Sequence, residues 1–189
     1  MIWGASNYLA EIFGEIFTRV FVVYDSKYGN TKRAAEQIAD GLKEKAEIEV
    51  VVGSTKEVDP QKIANYDALI IGAPNHMGKP SRTIIKFIDS LAKVESNAKW
   101  AVAFDTYFQR QRYFERAMKK LEKQINQKLP KVKLITPGLS IKVDGVNGPV
   151  AEGELQRAKD FGKKIANQLL HDIEWQKILK ANQILINFN

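Results

Sequence analysis

The sequence predicts an α/β domain: a doubly wound five-stranded parallel sheet with helices on both faces. Three observations predict it. Five short apolar runs alternate with longer segments of helical periodicity, the β-α-β-α order of a doubly wound sheet. Runs such as Val20–Tyr24 (VFVVY) and Ala68–Gly72 (ALIIG) are continuous rather than alternating, which marks strands buried on both faces and therefore a parallel sheet. The 189 residues, 44% of them apolar, suffice for one well-filled core and fall short of two ordinary domains.

The first strand is expected over Arg19–Tyr24, followed by a helix over Thr31–Lys45 with Ala34, Ala35, Ile38, Ala39 and Leu42 on one face. Ile48–Val52 is the second strand. Asp59-Pro60 reads as an N-cap and a first-position proline opening a shorter helix. Ala68–Gly72 is the third strand, and Ser81–Ala92 a helix with Ile84, Ile85, Phe87, Ile88 and Leu91 on one face. Trp100–Phe104 is the fourth strand, and Arg112–Lys128 a helix burying Phe114, Ala117, Met118, Leu121 and Ile125. The last run is split into Lys133–Ile135 and Leu139–Val143, and a final helix covers Glu152–Leu170. Residues 19–170 form the domain, and residues 1–18 and 171–189 are extensions, each apolar at helical spacing. Packing of these ends on the body or on a second copy, a possible homo-oligomer, competes with membrane association. Neither end has a Lys/Arg-rich polar face for the latter.

Composition excludes several chemistries. With no cysteine there is no disulfide, thiolate zinc site, iron–sulfur cluster or catalytic thiol. His76 and His171 are the only histidines, too few for a histidine-rich metal site, so no metal is expected. Redox chemistry would need a bound organic cofactor. No apolar run approaches the roughly 18 residues that span a bilayer, and the N-terminus lacks the basic start of a secretory signal; a cytoplasmic location is expected. The net charge is +7, and residues 107–133 hold nine Lys or Arg against two Glu. Such a field favours acidic partners.

Three segments carry chemistry, each at the end of a strand. Ser26-Lys27-Tyr28-Gly29-Asn30-Thr31 precedes the first helix. A phosphate needs converging donors; Ser26, Asn30 and Thr31 supply side chains, and the helix start supplies free N–H groups. Gly29 permits close approach or a positive φ. The segment lacks both the P-loop pattern and the three glycines of a dinucleotide site. A capped turn without a ligand is the competing reading. Pro74-Asn75-His76-Met77-Gly78 follows the third strand, with Pro74 fixing the chain and Gly78 permitting a turn; His76 could alternatively be a plain surface residue. Asp105-Thr106-Tyr107-Phe108 follows the fourth, with two aromatics able to stack on a ring.

Together these loops resemble the flavodoxin family, whose phosphate loop reads Ser/Thr-x-Thr-Gly-x-Thr and whose second loop begins Gly-Ser/Ala-Pro, as Gly72-Ala73-Pro74 does here. The resemblance covers residues 19–170. Tyr28 replaces the usual Thr and is more similar to the flavodoxin modules of flavodiiron proteins and of flavodoxin-like NAD(P)H:quinone oxidoreductases. The resemblance implies FMN as cofactor and a 2-1-3-4-5 strand order. It implies that Ser26–Thr31 hold the phosphate and that main-chain groups of Asn75–Gly78 face the flavin N5 and O4 edge. It also implies that Tyr107 or Phe108 touches the ring. The chain departs from simple flavodoxins in having no tryptophan in the three loops and in its basic body.

The first function expected is therefore an FMN-binding electron-transfer flavoprotein. An NAD(P)H:quinone oxidoreductase and a flavin-free scaffold are the alternatives. Arg112, Arg116, Lys119, Lys120 and Lys123 share a helical face; it is either a solvated surface or a docking face for an acidic redox partner. Nucleic acid is not expected as a partner.

Overall fold

A computed structural model describes residues 17–108 and 116–187, without side-chain detail at 181, 182 and 184–187. Six strands and four helices follow in the order β1 (Thr18–Tyr24), α1 (Asn30–Leu42), β2 (Ile48–Ser54), β3 (Ala68–His76), β4 (Lys79–Pro80), α2 (Arg82–Leu91), β5 (Trp100–Phe108), α3 (Arg116–Lys128), β6 (Lys133–Val143) and α4 (Glu154–Asn187). The sheet runs β2-β1-β3-β5-β6, with β4 attached to β3. All neighbours along the main path are parallel, so the five parallel strands have the order implied by the resemblance.

Continuous apolar strands are explained by two cores. Val20, Val22, Ile70, Val102 and Phe104 point to one face, where α1 and α4 contribute Ala34, Ile38, Leu42, Ala158, Ile165 and Leu169. Phe21, Val23, Leu69, Ile71 and Ala103 point to the other, against Ile84, Phe87, Ile88 and Leu91 of α2 and Leu121 and Ile125 of α3. Each fully buried aliphatic side chain contributes about 1.5–3 kcal/mol. On the first face α1 and α4 cross through glycines. A Cβ on Gly41 would strike the Lys159 carbonyl, and one on Gly162 the Ile38 carbonyl. Glu44, just beyond α1, is bound by Lys159 and Lys163, each at 3.1 Å. These hydrogen bonds hold its carboxyl below the usual range.

The open edge of the sheet at β6 is closed by side chains. Glu122 accepts from the Gly138 N–H (2.8 Å) and Glu154 from the Lys142 N–H (3.0 Å), and Arg157 donates to the Ser140 carbonyl. Ala151 N–H and Pro149 C=O pair with Lys142 and Asp144. An unpaired edge would offer these groups to another strand.

Four expectations change in detail. Strands β3 and β5 continue four residues past their apolar runs, to His76 and Phe108, so Pro74–His76 and all of Asp105–Phe108 are strand rather than loop. The split last run is one strand, Lys133–Val143, with an irregularity opposite Val102–Phe104. The helix expected after Asp59-Pro60 is instead a series of turns. Asp59 Oδ1 does accept the Gln61 N–H at 3.0 Å, but i→i−3 bonds follow at Lys62, Ala64 and Tyr66. Only Ile63 and Ala64 are buried there, too little apolar surface to fix a longer helix. Helix α4 begins at Glu154 and crosses residue 170 without a break. It stays tied to the body at least as far as Asp172, which accepts from Trp100 Nε1 (3.2 Å) and Lys133 Nζ (2.7 Å). The start of the basic helix, including Arg112 and Phe114, and residues 1–16 of the extension 1–18 lie outside the described residues, while Thr18 already belongs to β1.

Candidate functional site

The carboxyl ends of β1, β3, β5 and β6 surround a cavity of about 460 Å³, within the size range of small-molecule sites. It lies where the strand order reverses between β1 and β3, the position at which open α/β sheets bind ligands.

The β1–α1 turn supplies one wall through Ser26, Lys27, Tyr28, Asn30 and Thr31. Gly29 is the residue before α1 and has φ +84°, and it gives the helix no side-chain cap. The first-turn N–H groups are therefore left without the side-chain oxygen that usually meets them. A Cβ at Gly29 would touch nothing within 4 Å, so its left-handed φ, rather than crowding, explains the glycine. Ser26 Oγ is buried and has no hydrogen-bond partner among the described residues. An orphaned hydroxyl of this kind costs free energy unless something meets it. Thr31 Oγ1 lies 2.9 Å from Thr106 Oγ1, joining the helix start to β5. Just before the turn, burial raises the pKa of Tyr24, with Glu57 and Glu36 adding to the shift. The phenol stays neutral and adds no anion there.

The second wall is a hairpin. β3 turns into β4 through Met77 and Gly78, with Asn75 opposite Pro80 and His76 opposite Lys79. Met77 (φ 53°) and Gly78 (φ 80°) are both left-handed, the pattern of a type I′ turn. The Gly78 N–H donates to Asn75 Oδ1 at 2.7 Å. Pro74, Asn75, His76 and Met77 line the cavity, and Met77 is 83% exposed at its mouth. The third wall is Thr106, Tyr107 and Phe108 on β5. Phe108 is half exposed and Tyr107 partly buried, so both present aromatic surface there.

Twelve of the fifteen candidate residues border this one cavity; Gly29, Gly78 and Asp105 do not. The two glycines shape its walls through their backbone. Asp105 is fully buried in β5, pairing with Ala73 and Ser140. Sequence reasoning missed a fourth wall, Val143 with Val146. Val146 sits on the loop that returns from β6, closed by Asp144 N–H to Pro149 C=O and Gly148 N–H to Gly145 C=O. This loop also packs on the first wall, because a Cβ at Gly148 would strike the Asn30 amide. The signal was present in Asp144-Gly145 and Asn147-Gly148-Pro149, two turn signatures after a strand.

The donor set fits a phosphate-bearing ring. An uncapped helix start and Ser26 meet at one end. Aromatic and aliphatic side chains line the rest. Among the described residues there is no cluster of His, Asp or Glu that could hold a metal and no helix long and apolar enough to cross a membrane.

Known proteins agree with this geometry. A family model described as a flavodoxin domain matches residues 21–143. A type A flavoprotein of Rhodobacter capsulatus is 29% identical over 154 residues, 79% of this chain and 33% of that protein. A flavodoxin of Clostridium saccharobutylicum is 30% identical over 88 residues, 47% of this chain and 55% of that one. This chain thus spans only a third to about half of those relatives. Among solved structures, a flavodoxin from the domain Archaea superposes with a TM-score of 0.67 at 27% identity, covering 82% of this chain and all of that one. The flavodiiron core of a Synechocystis protein shares the fold at 18% identity, with a TM-score of 0.65, covering 82% of this chain and 36% of that one. With its cavity at the strand-order reversal and its core matched over residues 21–143, the chain belongs to the flavodoxin family.

Proposed function

We propose that this chain binds FMN in the cavity at the carboxyl edge of the sheet and carries electrons between redox proteins in the cytoplasm. Flavodoxin domains bind FMN, and one observation here carries the reading. Ser26, whose buried hydroxyl has no partner among the described residues, and the uncapped start of α1 border the same cavity as the aromatic and aliphatic walls. The bound flavin supplies the redox chemistry, taking up and releasing electrons.

The chain's own residues hold and tune it. Ser26, Asn30, Thr31 and the first-turn N–H groups hold the phosphate, where the helix dipole favours negative charge. Lys27 Nζ lies 5.0 Å from the Tyr28 ring centre, keeping a positive charge at this end. Tyr28, Tyr107, Phe108, Val143 and Val146 supply apolar surface for the ring. The Asn75–Gly78 backbone would hold its N5 and O4 edge and would offer a carbonyl to an N–H there. The partner is acidic and docks on basic residues of α3, Lys120 and Lys123 among them.

The test is ligand preference. FMN should bind at least tenfold more tightly than riboflavin in fluorescence quenching, because a hydrogen bond to a charged acceptor contributes about 1.5–3 kcal/mol. Equal affinities would overturn the reading.

A further inference from the structure

The basic side of α3 does not act as one face. Lys119 turns toward Glu122, Arg157 and β6, lining a cleft there. Lys120 and Lys123 turn the other way, toward the hairpin. With Lys79 of β4, Ile85 of α2 and Gln124, they line a separate groove of about 460 Å³. Among the described residues no carboxylate lines that groove. Some lysines elsewhere sit beside a carboxylate: Lys128 by Asp89, Lys133 by Asp172, Lys159 and Lys163 by Glu44. Among the described residues no such pair involves Lys79, Lys120 or Lys123. Three like charges gathered in one concavity repel one another, and an anionic guest relieves that repulsion.

We infer that this groove, rather than the whole helix, is the docking seat for an acidic redox protein, and that Lys79 is its third cation. The position argues for a protein partner. Groove and cavity share a wall: Lys79 and Pro80 border the groove, and their pairing partners His76 and Asn75 border the cavity. A partner held by Lys79 therefore sits one hairpin away from the ring. The charge is compact, three lysines around the Ile85 side chain, which suits a small carboxylate cluster around an apolar contact. A nucleic acid backbone would need phosphate contacts spread along a track, and a membrane surface would need a broad basic face. The inference rests on the carrier reading only for the choice of a redox protein as guest.

The test measures binding, with redox-silent zinc-substituted rubredoxin as a small acidic probe. Calorimetry at low salt would use the FMN-loaded protein, a triple variant Lys79→Glu, Lys120→Glu, Lys123→Glu, and a charge-matched control, Lys43→Glu, Lys93→Glu, Lys131→Glu, at the opposite edge of the sheet. FMN affinity is measured first in each; failure there would count against the flavin reading, not against the groove. The groove variant should bind rubredoxin about tenfold or more weakly, and the difference should fade toward 1 M salt, where the Debye length is about 3 Å. The control should lose much less. Equal losses in both variants would mean that only net charge matters and would overturn the proposal. So would wild-type binding to duplex DNA or phosphatidylserine vesicles with none to rubredoxin.

Discussion

Two helices begin at the same edge of the sheet, and they begin differently. Helix α2 starts after Ser81, whose buried hydroxyl accepts the Ile84 N–H at 3.3 Å. Helix α1 starts after Gly29, left-handed and with no side chain to offer. One helix caps a first-turn donor with its own serine. The other leaves its first-turn donors uncapped at a cavity, beside a serine hydroxyl with no partner among the described residues. The difference teaches where to look for a ligand: a helix start at a ligand-binding edge is a site when its usual cap is missing and a neighbour is also unsatisfied.

The sharpest way to break this comparison is at Gly29. Valine there must adopt φ near +84°, a region almost closed to β-branched residues. The Cβ itself has open space, so the damage comes from the backbone leaving its left-handed turn and misdirecting the donors. Gly29→Val should weaken FMN binding about a hundredfold, the equivalent of two hydrogen bonds to a charged acceptor. Gly29→Asn, which tolerates this region, should stay much nearer wild type. Quenching titrations of the two variants check both, and equal losses would mean that bulk rather than φ matters.

A smaller effect is expected from the donors one at a time. Thr31→Ala and Asn30→Ala should each weaken FMN binding about tenfold. Thr31→Ala also removes the 2.9 Å contact with Thr106, and Asn30→Ala removes the side chain on which Gly148 packs. Melting of the apoprotein separates these structural losses from the loss of a phosphate donor. Wild-type FMN affinity in both variants would move the phosphate elsewhere.

What was legible in the sequence follows from how local each signal is. The β1–α1 turn was readable because its chemistry is contiguous: a serine, a glycine and two polar residues at a helix start. The hairpin was less so, because β4 has only two residues, too few for any periodicity to register. The strand ends were set short because Asn75, His76 and Asp105 break the apolar run, although the pairing continues to Pro74–Thr106 and Phe108–Val143. Val143 and Val146 were missed because their wall depends on a loop folding back across the sheet edge, a contact that neighbouring residues do not encode. The basic helix shows the same limit. Periodicity put Lys119, Lys120 and Lys123 on one face, but the elements flanking α3 decide which cleft each one enters.

The smallest effect completes the comparison from its other side. If α2 is closed as structure, Ser81→Ala should cost stability and leave FMN alone. Ser81 is 4% exposed, so the variant leaves the Ile84 N–H buried and without its side-chain acceptor. Losing a serine N-cap costs about 0.5–2 kcal/mol, and the 3.3 Å bond is longer than the usual 2.9–3.0 Å, which favours the lower half of that range. For a chain of this size, 1 kcal/mol lowers the melting temperature by about 2–4 °C. The cost should remain local, because Ile84, Phe87, Ile88 and Leu91 keep α2 packed on the sheet. Thermal melts and FMN titration of this one variant would show a small drop in the first and no change in the second. A fall in FMN affinity as large as that of Thr31→Ala would make the start of α2 part of the site and remove the distinction between the two helices.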